Sequence, residues 1–140
     1  MIRGLFVNTE KANCSIYKSG QMVYDIIKES QDYSLDYIEV SPTQRDIENG
    51  YDFYVFNYHH ATMGWLDTKQ VKNFTGVKMT LVTEVAPGDI FVHCPQEDFD
   101  VYLPLDPTAD HWPKIIYPMP RPIQSFNQSF NQSIKHTKAI

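Results

Sequence analysis

His59 and His60 close the aromatic and β-branched run YDFYVFNYHH. An imidazole near its ordinary pKa works as a general base at neutral pH, and a nearby carboxylate can orient it. Glu84, near the end of the otherwise apolar LVTEV, is the candidate for that carboxylate. Asn8, Thr9 and Glu10 follow the first apolar run, and Asp106 and Thr108 flank a proline after a later one. Amides, hydroxyls, imidazoles and carboxylates on one rim suit a polyhydroxylated ligand, which is recognised through many directional hydrogen bonds.

Each of these residues also has a plainer explanation. A histidine at a strand end often caps that end or bonds a backbone carbonyl. Glu84 fits an exposed sheet edge equally well, and Asp106-Pro107-Thr108 fits an Asx turn. Adjacent side chains diverge, so one of His59 and His60 is expected to face a cleft and the other not. A metal site on His59, Glu84 and Asp106 has no ligand spacing behind it. His93-Cys94 are sequence neighbours, and such neighbours seldom form a thiol–imidazole pair.

Several better-defined chemistries are absent from the sequence. The segment after the first apolar run, NTEKANCS, contains no G-x-G-x-x-G, so the dinucleotide fingerprint is missing. There is no P-loop motif and no G-x-S-x-G elbow. No cofactor is expected.

The elements that must position these residues alternate in type. Ile2–Val7 is a short apolar run ending at the turn-favouring Asn8-Thr9, as a strand buried on both faces would. Ile16, Val23, Ile26 and Ile27 repeat at helical spacing across Ser15–Ser30, with Asn13 or Ser15 as the expected cap. Gly20 lies inside that helix and lets it approach the sheet closely. Tyr33–Val40 alternates, with Tyr33, Leu35 and Tyr37 on one side and Asp36, Ile38 and Val40 on the other.

Pro42 opens a short helical turn through Asn49, Asn49-Gly50 is a turn, and Asp52–Tyr58 is the central strand. Ala61–Gly64 reads as a small polar connection. Asp67 caps a short helix through Phe74, with Gly76 in the place of a C-cap glycine. Strands are expected at Val77–Val85, Val101–Leu105 and Lys114–Tyr117; Asp89–Cys94 fits either type and Pro95–Phe99 a turn or one short helix. Strands alternating with helices imply a Rossmann-like, doubly wound α/β domain, mostly parallel, with helices on both faces. Ligands of such sheets bind outside the carboxyl ends of the strands, and that rule selects the rim residues above.

Size and composition set outer limits. The chain has 140 residues, a hydrophobic fraction of 42% and an aromatic fraction of 14%, enough for one domain with a real core. Net charge is −5 and no Lys/Arg cluster occurs, which disfavours nucleic acid. No apolar run approaches the ~20 residues of a membrane span. Two cysteines, Cys14 and Cys94, make no disulfide framework or metal spacing. A cytoplasmic protein with free thiols is expected. Residues 124–140 carry a tandem FNQS and little that builds a core, so they read as a low-complexity tail or shortened linker beside a domain at 1–123.

Four stretches carry a family likeness: IRGLFVNTEKANCSIYKSGQMVYD, YDFYVFNYHHATMGWLD, LVTEVAPGD, and DPT followed by IIYPMPRPI. Across about Ile2–Ile123 the chain resembles the N-terminal half of GT-B-type bacterial glycosyltransferases of the family 1-like group. In that family two Rossmann-like domains face each other; the N-terminal one holds the acceptor and the C-terminal one the nucleotide-sugar donor. The resemblance implies that the loop Asn8–Ser15 faces the acceptor. His59 or His60 would then be the base or a sugar contact, with Glu84 near the cleft. A saccharide or other hydroxylated acceptor would be the partner, and a nucleotide-sugar donor would need a second domain or partner chain. A donor domain has no counterpart here, which implies a truncated transferase or a half that needs a partner. The alternative is a stand-alone Rossmann-like module that binds a small molecule or a protein without catalysis.

Overall fold

In a computed structural model of the chain, the described residues are 2–43, 47–63, 69–82, 90–92, 94–104 and 115–116. Glu84, Asp106, Thr108, Asp67, His93 and the segment 124–140 lie outside them. The elements are β1 (Ile2–Thr9), α1 (Ser15–Ile27), β2 (Tyr33–Val40), β3 (Phe53–Asn57), α2 (His60–Met63), α3 (Lys69–Lys72), β4 (Val77–Val82), β5 (Val101–Pro104) and β6 (Ile115–Ile116). The strands form one six-stranded sheet in the order β2-β1-β3-β4-β5-β6. Every pairing is parallel. This is the Rossmann-like α/β architecture anticipated from the sequence, in the doubly wound strand order 2-1-3-4-5 with one further strand.

The direction of winding reverses at β1. From β1 the chain passes through α1 to β2 on one side. It then crosses back to lay β3 on the other side of β1 and continues outward to β6. Right-handed crossovers in opposite directions must lie on opposite faces of the sheet. Two separate apolar clusters follow. Phe6, Phe53, Val55, Met79 and Leu81 pack with Val23 and Ile27 of α1 on one face. Leu5, Val7, Tyr54, Phe56 and Tyr102 pack with Met63 of α2, Val71 of α3 and Phe74 on the other. β3 lies between them, and all five of its residues are buried. A parallel strand covered on both faces reads as a continuous apolar run, so FYVFN is the clearest strand in the chain.

The tyrosines serve the core. Tyr54 stacks on Phe74 at 4.7 Å and Phe56 meets Phe99 edge-on at 5.7 Å. Three of the hydroxyls find partners nearby: Tyr33 donates to the Ile27 carbonyl (2.7 Å), Tyr54 to the Glu48 carbonyl (3.1 Å) and Tyr102 to the Cys94 carbonyl (2.8 Å). Such partners make burial of a phenol tolerable. Burial pushes the Tyr33, Tyr37 and Tyr102 phenols up well above their ordinary value of 10.0. Tyr51 is pushed up to about 12, by burial first and then by the Asp36 carboxylate that accepts its hydrogen.

Some local expectations need correction. Neither Asn13 nor Ser15 caps α1; the N-cap is Cys14, and its side chain makes no capping bond. Residues 60–63 form a short helix instead of a connection, because His59 supplies a cap the composition does not advertise. Residues 47–49 are not helical, whereas 90–92 are. Gly76 is not a left-handed helix cap: among the described residues Gly50 alone has positive φ, at 110°, in the expected turn. A glycine is needed at 76 for another reason, since a Cβ there would collide with the Tyr51 carbonyl. Cys14 and Cys94 are both free.

Phe56→Ala should cost about 3–5 kcal/mol in chemical denaturation, because Phe56 is fully buried against rigid aromatic neighbours. The raised phenol values fix the sign of the alkaline response. A group whose folded pKa lies above its unfolded one contributes stability below the unfolded value and loses it as pH rises through the folded one. Stability should therefore fall from about pH 10 upward, and tyrosinate absorbance should rise together with loss of near-ultraviolet circular dichroism rather than before it.

Candidate functional site

The strand order reverses at β1, and in such sheets the ligand crevice lies where the carboxyl ends of the two neighbouring strands, here β1 and β3, part. Asn8 and Thr9 end β1, and Asn57 ends β3, followed by Tyr58, His59 and His60. Strand alternation sends Asn8 to the α1 side and Thr9 to the α2 side. On the α2 side, the Thr62 hydroxyl donates to Thr9 Oγ1 at 2.8 Å, tying the first turn of α2 to β1. His59 is only 5% exposed. Its Nδ1 accepts the Ala61 amide hydrogen at 3.0 Å, and its carbonyl accepts from Thr62 and Met63. In the neutral ring the proton therefore sits on Nε2.

His60 is exposed at the start of α2. Its ring lies on that of His59 with centroids 4.9 Å apart and planes 16° apart. The two histidines thus divide their roles: His59 is a cap and a platform, and His60 is the imidazole presented to solvent. Glu10 is also exposed, at the mouth, and its amide donates to the Val40 carbonyl (3.1 Å).

Asn57, on the α1 side, carries no signal in the sequence that separates it from the core around it. Its Nδ2 donates to Asn8 Oδ1 (2.8 Å) and to the Ile16 carbonyl in the first turn of α1 (2.7 Å). Asn8 Oδ1 also accepts from the Thr9 amide (2.9 Å), and Asn8 Nδ2 donates to the Tyr37 hydroxyl (3.1 Å) and the Tyr17 carbonyl (3.3 Å). These partners fix the orientation of both amides, since reversing either would set donor against donor or acceptor against acceptor. One position is left over: Asn57 Oδ1 is buried and accepts nothing. An unmatched buried carbonyl costs about 1–3 kcal/mol. Gly20 sits directly over the pair, where a Cβ would fall inside contact distance of Asn57 Nδ2 and Asn8 Oδ1. The close approach expected of this glycine is thus what accommodates the amides.

The structure brings together Asn8, Thr9, His59 and His60 from the sequence-derived rim, with Glu10 beside them. Glu84, Asp106 and Thr108 lie outside the described residues. Among the described residues, no group of three His, Cys, Asp or Glu side chains could hold a metal ion, and no helix is long and apolar enough to cross a membrane. No family model, curated protein or solved structure matches the chain.

Three substitutions test this geometry. Gly20→Ala gains up to about 1 kcal/mol of helix propensity but forces apart a hydrogen-bonded pair, at about 1–3 kcal/mol. Thermal melting should show net destabilisation, and a stabilised variant would remove the close approach. His59→Ala should cost about 1 kcal/mol through the lost cap, whereas His60→Ala should stay within about 0.5 kcal/mol of the parent.

Proposed function

We propose that this chain is the acceptor-side domain of a GT-B-type glycosyltransferase. It binds a hydroxylated acceptor, a saccharide in the first instance, at the carboxyl ends of β1 and β3. The observation that carries this reading is the gathering of Asn8, Thr9, His59 and His60 at the strand-order reversal of a parallel sheet. Side-chain amides and hydroxyls recognise hydroxyl groups in both directions, as donors and as acceptors.

In this reading the exposed His60 is the base that takes the proton of the acceptor hydroxyl as that oxygen attacks the donor sugar. His59 holds its partner's ring by stacking and anchors α2. The nucleotide-sugar donor is bound by a second domain or a partner chain, so the domain alone binds acceptor without turning it over. Glu84, Asp106 and Thr108 belong to the same proposal as acceptor-side residues.

The test is an amide-resolved NMR titration of the chain with methyl α-D-glucopyranoside, methyl α-D-mannopyranoside and methyl β-D-galactopyranoside, each against UDP-glucose. At least one glycoside should move the amides of residues 8–11 and 59–63, while UDP-glucose leaves them in place. A panel that leaves those amides unmoved sinks the transferase reading and leaves an α/β module whose crevice serves a different ligand.

A further inference from the structure

Three side-chain hydrogen bonds on the α1 side of the crevice run head to tail. Asn57 donates to Asn8 (2.8 Å), Asn8 donates to the Tyr37 hydroxyl (3.1 Å), and Tyr37 donates to Glu39 Oε2 (2.7 Å). Gln21 Nε2 also donates to the Tyr37 hydroxyl, so the phenol is held in place. Glu39 is exposed on β2, the edge strand. A buried amide inside the sheet is thus connected to a carboxylate at its margin. Asn57 only donates, Asn8 and Tyr37 each accept from one neighbour and donate to the next, and Glu39 only accepts. Chains of this kind polarise cooperatively: donation from the N–H side of an amide makes its carbonyl oxygen a better acceptor. The one open position on the chain is Asn57 Oδ1, which is fully buried and unpartnered.

We propose that Asn57 is a ligand-recognition residue of this crevice, its Oδ1 accepting the hydrogen of an acceptor hydroxyl, with Asn8, Tyr37 and Glu39 as positioning residues behind it. This rests on the reading of the crevice as a site for hydroxylated acceptors and adds a direction to it. At this point the site takes a hydrogen-bond donor. A bare phosphate or carboxylate oxygen would meet a carbonyl oxygen, backed by a chain that ends in negative charge, and would be repelled. Asn57 is the last residue of β3, at the carboxyl end of the sheet. Replacing Asn57 itself would also release α1, because its Nδ2 holds the Ile16 carbonyl. Exposed Glu39 is the position to vary.

The experiment uses the full chain with isotope-labelled asparagine, the three methyl glycosides above, and Glu39→Gln beside the parent. The Asn57 carboxamide carbon should shift with the same saturation curve as the backbone amides of residues 8–11. Glu39→Gln should leave circular dichroism and melting unchanged, move the Asn57 Nδ2 hydrogens in the free protein, and weaken glycoside binding by roughly twofold to tenfold. If the backbone amides of the crevice respond and the Asn57 carboxamide does not, or if Glu39→Gln binds as tightly as the parent, Asn57 is a structural amide and the proposal falls while the saccharide reading stands. If no glycoside moves any crevice amide, both fall together.

Discussion

The hydrogen bond between Asn57 and Asn8 joins the two strands that the topology sends apart. β1 and β3 pair from Gly4–Phe53 to Val7–Phe56, but the connections that follow them leave on opposite faces. At their carboxyl ends, side chains therefore have to provide the bond between them. The Asn57 amide does so in two directions at once, toward β1 and toward the first turn of α1. The depth at which α1 lies, the start of the loop at Glu10 and the position of Tyr37 all follow from where this pair sits.

The two sides of the crevice differ in character. On the α1 side, amides and phenols are bound to one another and are mostly enclosed. On the α2 side, Thr9 and Thr62 secure a short helix whose first residue, His60, is open to solvent. A parallel sheet gathers all its carboxyl ends at one rim, so the amides of one side and the exposed imidazole of the other lie along the same edge of the sheet.

Much of this was legible in the sequence, and the remainder was hidden for identifiable reasons. Strand β3 could be read because burial on both faces removes polar residues from it, and the alternation of β2 correctly separated Tyr33, Leu35 and Tyr37 from Ile38 and Val40. The rule that ligands sit at strand carboxyl ends picked Asn8, Thr9, His59 and His60, and the structure has them at or just past the ends of β1 and β3. The cap on α2 was invisible because histidine is not a residue that composition associates with helix starts; its ring nitrogen does the work of a Ser or Asp oxygen. Gly76 was misread because a glycine after a helix usually relieves backbone conformation, whereas here it relieves a collision with a distant carbonyl. Asn57 was overlooked because it lies inside the run Asp52–Tyr58, where nothing in the sequence separates it from the buried strand around it. Only the fold brings its partner, 49 residues away in sequence, into contact.

That separation also has a temporal side. During synthesis, β1 can acquire β2 as a neighbour early, but its second edge stays bare until the chain has grown through β3. At about 5–20 residues per second, the 49 residues between Asn8 and Asn57 take roughly 2–10 s to make. For that interval the nascent protein holds an eight-residue strand with an unsatisfied hydrogen-bonding edge and the apolar Leu5, Phe6 and Val7. Closure of the crevice is thus also the end of the period in which the growing chain is most exposed to wrong partners, and a ribosome that pauses before residue 57 lengthens it.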